Sequence, residues 1–337
     1  MNKILITGSA GFVGSSLISY FNETTKDFKI VGIDDLSYGY SERLVDLDLN
    51  FLNISVEKYC SERDLSNDKF DAVIHCAAIA PLPDNEADPV KSYEQNVVNA
   101  IRVAQYCTEI GCKKLIFLST GALYELDEVY PSTEKIHHLT RFVYPTTKMC
   151  AEHALRAYAN SYGLNCTALR LFNLYGPRQD YYRKHPPLIG YLLKSLIKDE
   201  TAYLYSDGEQ KRDYIYINDL AKLIFSLIES SQDKPFEVLN VGSGISYSVN
   251  QIVKLIEEIS GKKIKVSRLN SNSFWDKYPS IFTKKLPLNK ELISKEVNKH
   301  SHGDIKFLLE KLNMHNLTSM KSGLADCYNY AINKIDS

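Results

Sequence analysis

The chain has 337 residues, 44% of them hydrophobic, with 40 basic against 41 acidic side chains. A chain of that length buries a large core, and its even charge gives no electrostatic case for a nucleic-acid partner or a membrane surface. No apolar run approaches the roughly 20 residues of a membrane-spanning helix, and Met1-Asn2-Lys3 precedes too short an apolar stretch for a secretion signal, so a cytoplasmic protein is expected. Seven cysteines, an odd number with no C-x-x-C pair, fit reduced thiols rather than a disulfide framework.

In chain order, residues 3–7 read as a strand, 12–21 as a helix and 28–33 as a second strand. Residues 72–75 are strand-like, 92–110 carry apolar side chains near helical spacing, and 114–118 form another strand. A helix follows over 145–162 and a strand over 166–172. Strands alternating with helices predict right-handed βαβ units, hence an α/β protein with a doubly wound parallel sheet. After Gly176-Pro177-Arg178 the alternation becomes irregular. The texture predicts a first domain over 1–175 and a smaller, interleaved second one over 176–337, with a return to the sheet at about 213–241. No repeat or low-complexity tract interrupts the chain.

The first strand runs into Thr7-Gly8-Ser9-Ala10-Gly11-Phe12-Val13-Gly14. Glycines at every third position of a strand-to-helix turn let the backbone approach a pyrophosphate, whose charge then sits on the N-terminus of the next helix. Asp34 and Asp35 follow the second strand, Asp34 being 20 residues beyond Gly14. A carboxylate there hydrogen-bonds a ribose 2′-hydroxyl and repels a 2′-phosphate, which predicts NAD rather than NADP.

With these pieces goes a wider pattern: "TGSAGFVG" at 7–14, "GIDDLS" at 32–37, "DAVIHCAA" at 71–78, "NVVNAIRV" at 96–103, "FLSTGALY" at 117–124, "YPTTK" at 144–148, "LRLFNLYGPR" at 169–178 and "KRDYIYINDLA" at 211–221. In order and spacing the sequence resembles the extended short-chain dehydrogenases/reductases, specifically the NAD-dependent sugar-nucleotide epimerase/dehydratase group. The resemblance implies a Rossmann-type sheet, a smaller C-terminal domain for a nucleotide sugar, and a homodimer formed through the helices at about 92–110 and 145–162. It implies cofactor contacts from Gly8, Gly11, Phe12, Val13, Gly14, Asp34, Asp35, Ser37, Asn53, Ile54, Ala77, Ala78, Asn96, Ser119, Tyr144 and Lys148. Asn53-Ile54 stands where the family has an adenine-contacting Asp-Ile pair. Substrate contacts are implied for Thr120, Asn173, Leu204, Tyr205 and Arg212, the last through the diphosphate, where a guanidinium binds bidentately.

The resemblance makes Thr120, Tyr144 and Lys148 the catalytic set. Tyr144 and Lys148 are one helical turn apart and share a face. A second Y-x-x-x-K, Tyr330 to Lys334, lacks cofactor context and receives no role. Free tyrosine, with a pKa of about 10, is a poor base at neutral pH. The Lys148 ammonium and the positive nicotinamide ring favour its phenolate, which takes a proton from a sugar hydroxyl as hydride leaves the same carbon. Thr120 both donates and accepts, so it relays or positions that proton.

Departures narrow the reaction. The family's 4,6-dehydratases have Asp-Glu after the threonine; here Gly121 and Ala122 follow, and neither titrates. Their absence favours a 4-epimerase working through a transient 4-keto sugar, on a UDP-hexose or UDP-N-acetylhexosamine in a polysaccharide or glycoconjugate pathway. Two other readings stay open: an unusual dehydratase using Glu125 or Cys150, and an NAD-sensing binding module. Glu125 replaces a usual glycine; it is either a solvent-facing loop residue or a carboxylate entering from another direction. The family's second phosphate-binding arginine is missing, and Lys290 or Lys295 stands nearest to it. His137-His138 and His300 with His302 lack metal-ligand spacing, so no metal is expected.

Overall fold

The strands, in chain order, are β1 (Asn2–Thr7), β2 (Phe28–Asp34), β3 (Asn50–Asn53), β4 (Ala72–His75), β5 (Leu115–Thr120), β6 (Cys166–Leu171), β7 (Asn173–Tyr175), β8 (Ala202–Leu204), β9 (Lys211–Tyr216), β10 (Phe236–Val241), β11 (Ser246–Ser248) and β12 (Val266–Arg268). The computed structural model describes residues 2–25, 28–62, 69–136, 139–181, 183, 186–230, 234–282, 289, 296–313 and 316–335. Seven strands form one sheet in the order β10-β6-β5-β4-β1-β2-β3, every pairing parallel. The order reverses between β1 and β4. In an open α/β sheet that is where ligands bind, beyond the carboxyl ends of the strands.

The sequence explains the layering. β4 and β5 are buried at every position, as strands covered on both faces must be, and so they read as continuous apolar runs. In β1, Ile4 and Ile6 face one side and Leu5 the other. The first side meets α1 (Phe12–Thr24) and, from much later in the chain, α8 (Ile217–Glu229), through Leu17, Phe21, Leu220 and Ile224. The second meets α5 (Asn99–Glu109) and α6 (Val143–Tyr162), through Val103, Ala104, Ala151 and Leu155. The short helix α2 (Val56–Glu62) adds Tyr59 to that face. Lys114, buried just before β5, donates from Nζ to the carbonyls of Leu227 and Ser230, placing a cation at the carbonyl end of α8.

Two helices, α3 (Leu82–Ala87) and α4 (Pro89–Tyr93), follow β4, and a π-helical turn over Glu94–Val98 joins α4 to α5. The later chain adds α7 (Leu188–Ile197), α9 (Val249–Ser260) and two small sheets, β11-β9-β7 and β12-β8. Within the span 213–241, α8 and β10 lie on the main sheet, whereas β9 belongs to the three-stranded sheet.

Candidate active site

At the turn after β1, Gly8 has φ +68, and a Cβ there would come within 2.7 Å of the Ala77 nitrogen. A Cβ on Gly14 would lie 2.3 Å from the Gly8 carbonyl oxygen. Side chains at either place would force the turn apart, so the backbone N–H groups at the start of α1 stay exposed to an anion. Asp34 ends β2; its carboxylate accepts from the N–H of Ala10 at 3.0 Å and of Leu36 at 2.8 Å. Burial raises its pKa, with those two bonds opposing. Gly8, Gly11, Asp34, Asp35, Ser37, Ile54, Ala77 and Ala78 line one cavity of about 130 Å³. A glycine cradle beside a fixed carboxylate fits a dinucleotide with a free ribose 2′-hydroxyl. Phe12 and Val13 begin α1 and pack on the core.

Among the other expected cofactor residues, Asn53, Asn96 and Ser119 do not line that cavity. Asn53 is exposed at the end of β3 and is not among the residues lining that cavity. Asn96 is fully buried: its amide spans both the N–H and the carbonyl of Ile79, at 2.8 and 3.1 Å, and donates to Asn85 and Thr147. These bonds tie the loop after β4 to α6. Ser119 donates to Glu152 Oε1 at 2.5 Å. Successive strand residues point to opposite faces, so Ser119 and Thr120 meet different neighbours.

A second cavity, of about 250 Å³, opens beside the first. It is lined by Thr120, Gly121, Ala122, Glu125, Phe142, Tyr144, Asn173, Arg212, Glu296 and Lys299, among others. The Thr120 side chain caps the turn after β5, accepting from Ala122 N–H at 3.1 Å. Tyr144 lies in the first turn of α6; burial raises its pKa, and a hydrogen bond with Thr120 opposes that. Lys148, one turn on, donates to the Leu118 carbonyl at 2.8 Å and sits 4.8 Å from the Phe117 ring centroid. Burial lowers its pKa to about 8. The field expected from Lys148 on Tyr144 is therefore not the main influence in the cofactor-free protein: burial and Thr120 govern the phenol, and the amine is aimed at Leu118.

On the substrate side, Asn173 lines the cavity while donating to the Asp213 carbonyl at 2.9 Å. Arg212 lines it too, donating to the carbonyls of Lys299 and, at 2.9 Å, Glu296. Leu204 is buried in the main core and does not line this cavity. Tyr205 packs edge-on against Phe274, with Lys277 Nζ 4.3 Å from its ring centroid. Lys290 and Lys295 lie outside the described residues. Lys299, from the same stretch, reaches the cavity and is the second cation that sequence reasoning missed; no local motif marks it. Glu125 is half-buried in the cavity wall rather than a solvent-facing loop residue. Cys150, on α6, interacts with Tyr93 of α4 and does not line the cavity. His300 accepts from Lys211 N–H at 3.2 Å, His302 donates to the Gly244 carbonyl at 2.9 Å, and His137 and His138 lie outside the described residues.

Residues 4–242 match the NAD dependent epimerase/dehydratase family. A UDP-glucose 4-epimerase of Corynebacterium glutamicum is 32% identical over 278 residues, covering 78% of this chain and 82% of that protein. A UDP-glucuronate 4-epimerase of Thermodesulfobacterium geofontis is 29% identical, covering 80% of this chain and 84% of that one. Among solved structures, a UDP-glucose 4-epimerase from Thermotoga maritima superposes with TM-score 0.83 at 28% identity, covering 99% of both chains. A UDP-N-acetylglucosamine 4-epimerase from Methanobrevibacter ruminantium superposes with TM-score 0.83 at 27% identity, again covering 99% of both. The chain belongs to the NAD-dependent epimerase/dehydratase family and is an enzyme whose cofactor is NAD.

Proposed function

We propose that the protein is a nucleotide-sugar 4-epimerase, acting on a UDP-hexose or UDP-N-acetylhexosamine through a transient 4-keto sugar. The observation that carries this reading is the wall of the second cavity. Thr120 and Tyr144 meet there, and the two places after Thr120 are Gly121 and Ala122, which offer neither the acid nor the base that loss of water needs. The named activities of the relatives support the same reading.

Bound NAD supplies an acceptor for the C4 hydride and later a donor. Tyr144 takes the proton of the C4 hydroxyl, with Thr120 holding both oxygens in line. Once the ring has turned over and presents the opposite face of C4 to the cofactor, Tyr144 returns the proton to the C4 oxygen. Lys148, released from Leu118, holds the nicotinamide ribose and adds its positive charge. Arg212 and Lys299 grip the diphosphate, and Asp34 the adenine-side ribose.

The test is incubation of NAD-loaded protein with UDP-glucose, UDP-N-acetylglucosamine and their GDP counterparts, read by mass spectrometry and proton NMR. The expected product has unchanged mass and an altered H4 coupling. Loss of one water would instead support a dehydratase, a second reading kept open because Glu125 lines the cavity. A homodimer, a cytoplasmic setting and a role in polysaccharide synthesis belong to the same proposal. Exposed Tyr93, Val98 and Tyr162, beside or on the paired helices, favour the dimer. Sedimentation is expected to give twice the mass of one chain; a monomer at micromolar concentration would contradict it.

A further inference from the structure

We propose that Glu125 is a specificity-determining residue, whose carboxylate makes the sugar pocket reject nucleotide sugars carrying a carboxylate at C6. The inference rests on the 4-epimerase reading, which puts the sugar's C4 against Thr120 and Tyr144. Glu125 lines the same cavity as those two residues. In a hexose, C6 is two bonds from C4, so a pocket of about 250 Å³ cannot keep a C6 group far from that wall.

The carboxylate is held in place. It accepts from the N–H of Arg141, just before α6, and so cannot swing out to solvent without losing a bond. Lys299 and Glu296 both act on it, with opposite sign, so that pair leaves its negative charge largely standing. Lys299 is paired with Glu296 at 2.6 Å, and Arg212 donates to the carbonyls of Glu296 and Lys299. Gly121, Ala122 and Phe142, in the same wall, carry no charge. A primary alcohol at C6 donates a hydrogen bond to such a carboxylate. A uronate has no proton to donate and meets a like charge in a partly desolvated site.

The experiment measures kcat/KM, and equilibrium binding, of UDP-glucose and UDP-glucuronate with NAD-loaded protein. Wild type is expected to prefer UDP-glucose, and Glu125→Gln to shift the ratio toward the uronate by about 10- to 100-fold. Glu125→Gly, which removes the bond to Arg141 as well, is the second variant and should shift the ratio the same way. Glu86→Gln is the structural control: Glu86 accepts from Val143 N–H at 2.6 Å at the same helix start but does not line the cavity. It weakens that bond at the start of α6 and should leave the ratio unmoved. Equal use of both sugars by wild type, parallel losses on both in the Glu125 variants, or binding of neither nucleotide would overturn the proposal. A binding ratio that shifts although neither sugar is turned over would uphold the role of Glu125 and remove the 4-epimerase reading instead.

Discussion

Tyr144→Phe is expected to lower kcat by about 100- to 10,000-fold, the range for removing a positioned acid–base group, while the protein keeps its NAD. The loss is specific because the phenyl ring still fills its place at the start of α6. Only the oxygen bonded to Thr120 disappears. The dinucleotide cradle is untouched: Gly8, Gly11 and Asp34 line the other cavity, with Asp34 fixed by Ala10 and Leu36. A near wild-type rate would take Tyr144 out of the mechanism. The pH profile follows from the two shifts. Burial raises the Tyr144 pKa, so its base form is lost as pH falls and the rate declines toward acid. Burial lowers Lys148 to about 8, so the ammonium is lost as pH rises through that value; the phenolate gained over the same range offsets that loss, and the rate is expected to climb with pH to about 8 and level off above it. Steady-state rates between acid and alkaline pH, with NAD saturating, read the climb and the plateau.

The parts of this site that the sequence makes legible are those set by local geometry. The glycine turn needs a particular backbone path at Gly8 and Gly14, and Asp34 ends a strand whose apolar run is visible in the chain. Tyr144 and Lys148 sit one turn apart on a helix that the sequence marks out. What misleads is side-chain direction, which tertiary packing decides. Asn96 and Asn53 are the same residue type at element edges, yet one is buried in a hydrogen-bond network and the other is exposed. Ser119 and Thr120 are adjacent hydroxyls, and the pleat sends them to different neighbours. Lys299 is illegible for another reason. It reaches the cavity because the backbone of Ser301 pairs with Lys211 and Asp213 and that of Gly303 bonds to the Asp213 carboxylate, contacts about 90 residues apart in sequence. The small sheet β11-β9-β7 escapes as well. Its outer strands are three residues long, too short for alternation to show.

Glu152→Leu is expected to destabilise the protein by about 3–5 kcal/mol, the cost of stranding one member of a buried ion pair. Glu152 and Arg170 are each 3% exposed, joined by two bonds of 3.0 and 2.7 Å. The pair also organises its surroundings. Ser119 donates to the carboxylate, and Arg170 donates to the Tyr124 hydroxyl at 2.8 Å and to the Glu134 carbonyl at 2.7 Å. Tyr124 passes the chain on to Asn240 in β10, at 2.6 Å. One network thus ties α6 to β5, β6 and β10. Tyr144, Lys148 and Glu152 recur every four residues, so they lie along one face of α6. Holding Glu152 fixes the rotation of the helix that presents Tyr144 to Thr120. The single variant should therefore lose activity as well as stability. Glu152→Leu combined with Arg170→Met should recover at least half of the lost stability, because no buried charge is then left unpaired. It should not recover the rate, since Ser119 still lacks its acceptor and Tyr124 the donor from Arg170. Urea midpoints of the NAD-loaded single and double variants, set beside their kcat values, check both halves. A single variant unfolding at the wild-type midpoint would mean that the pair does not hold α6 in place.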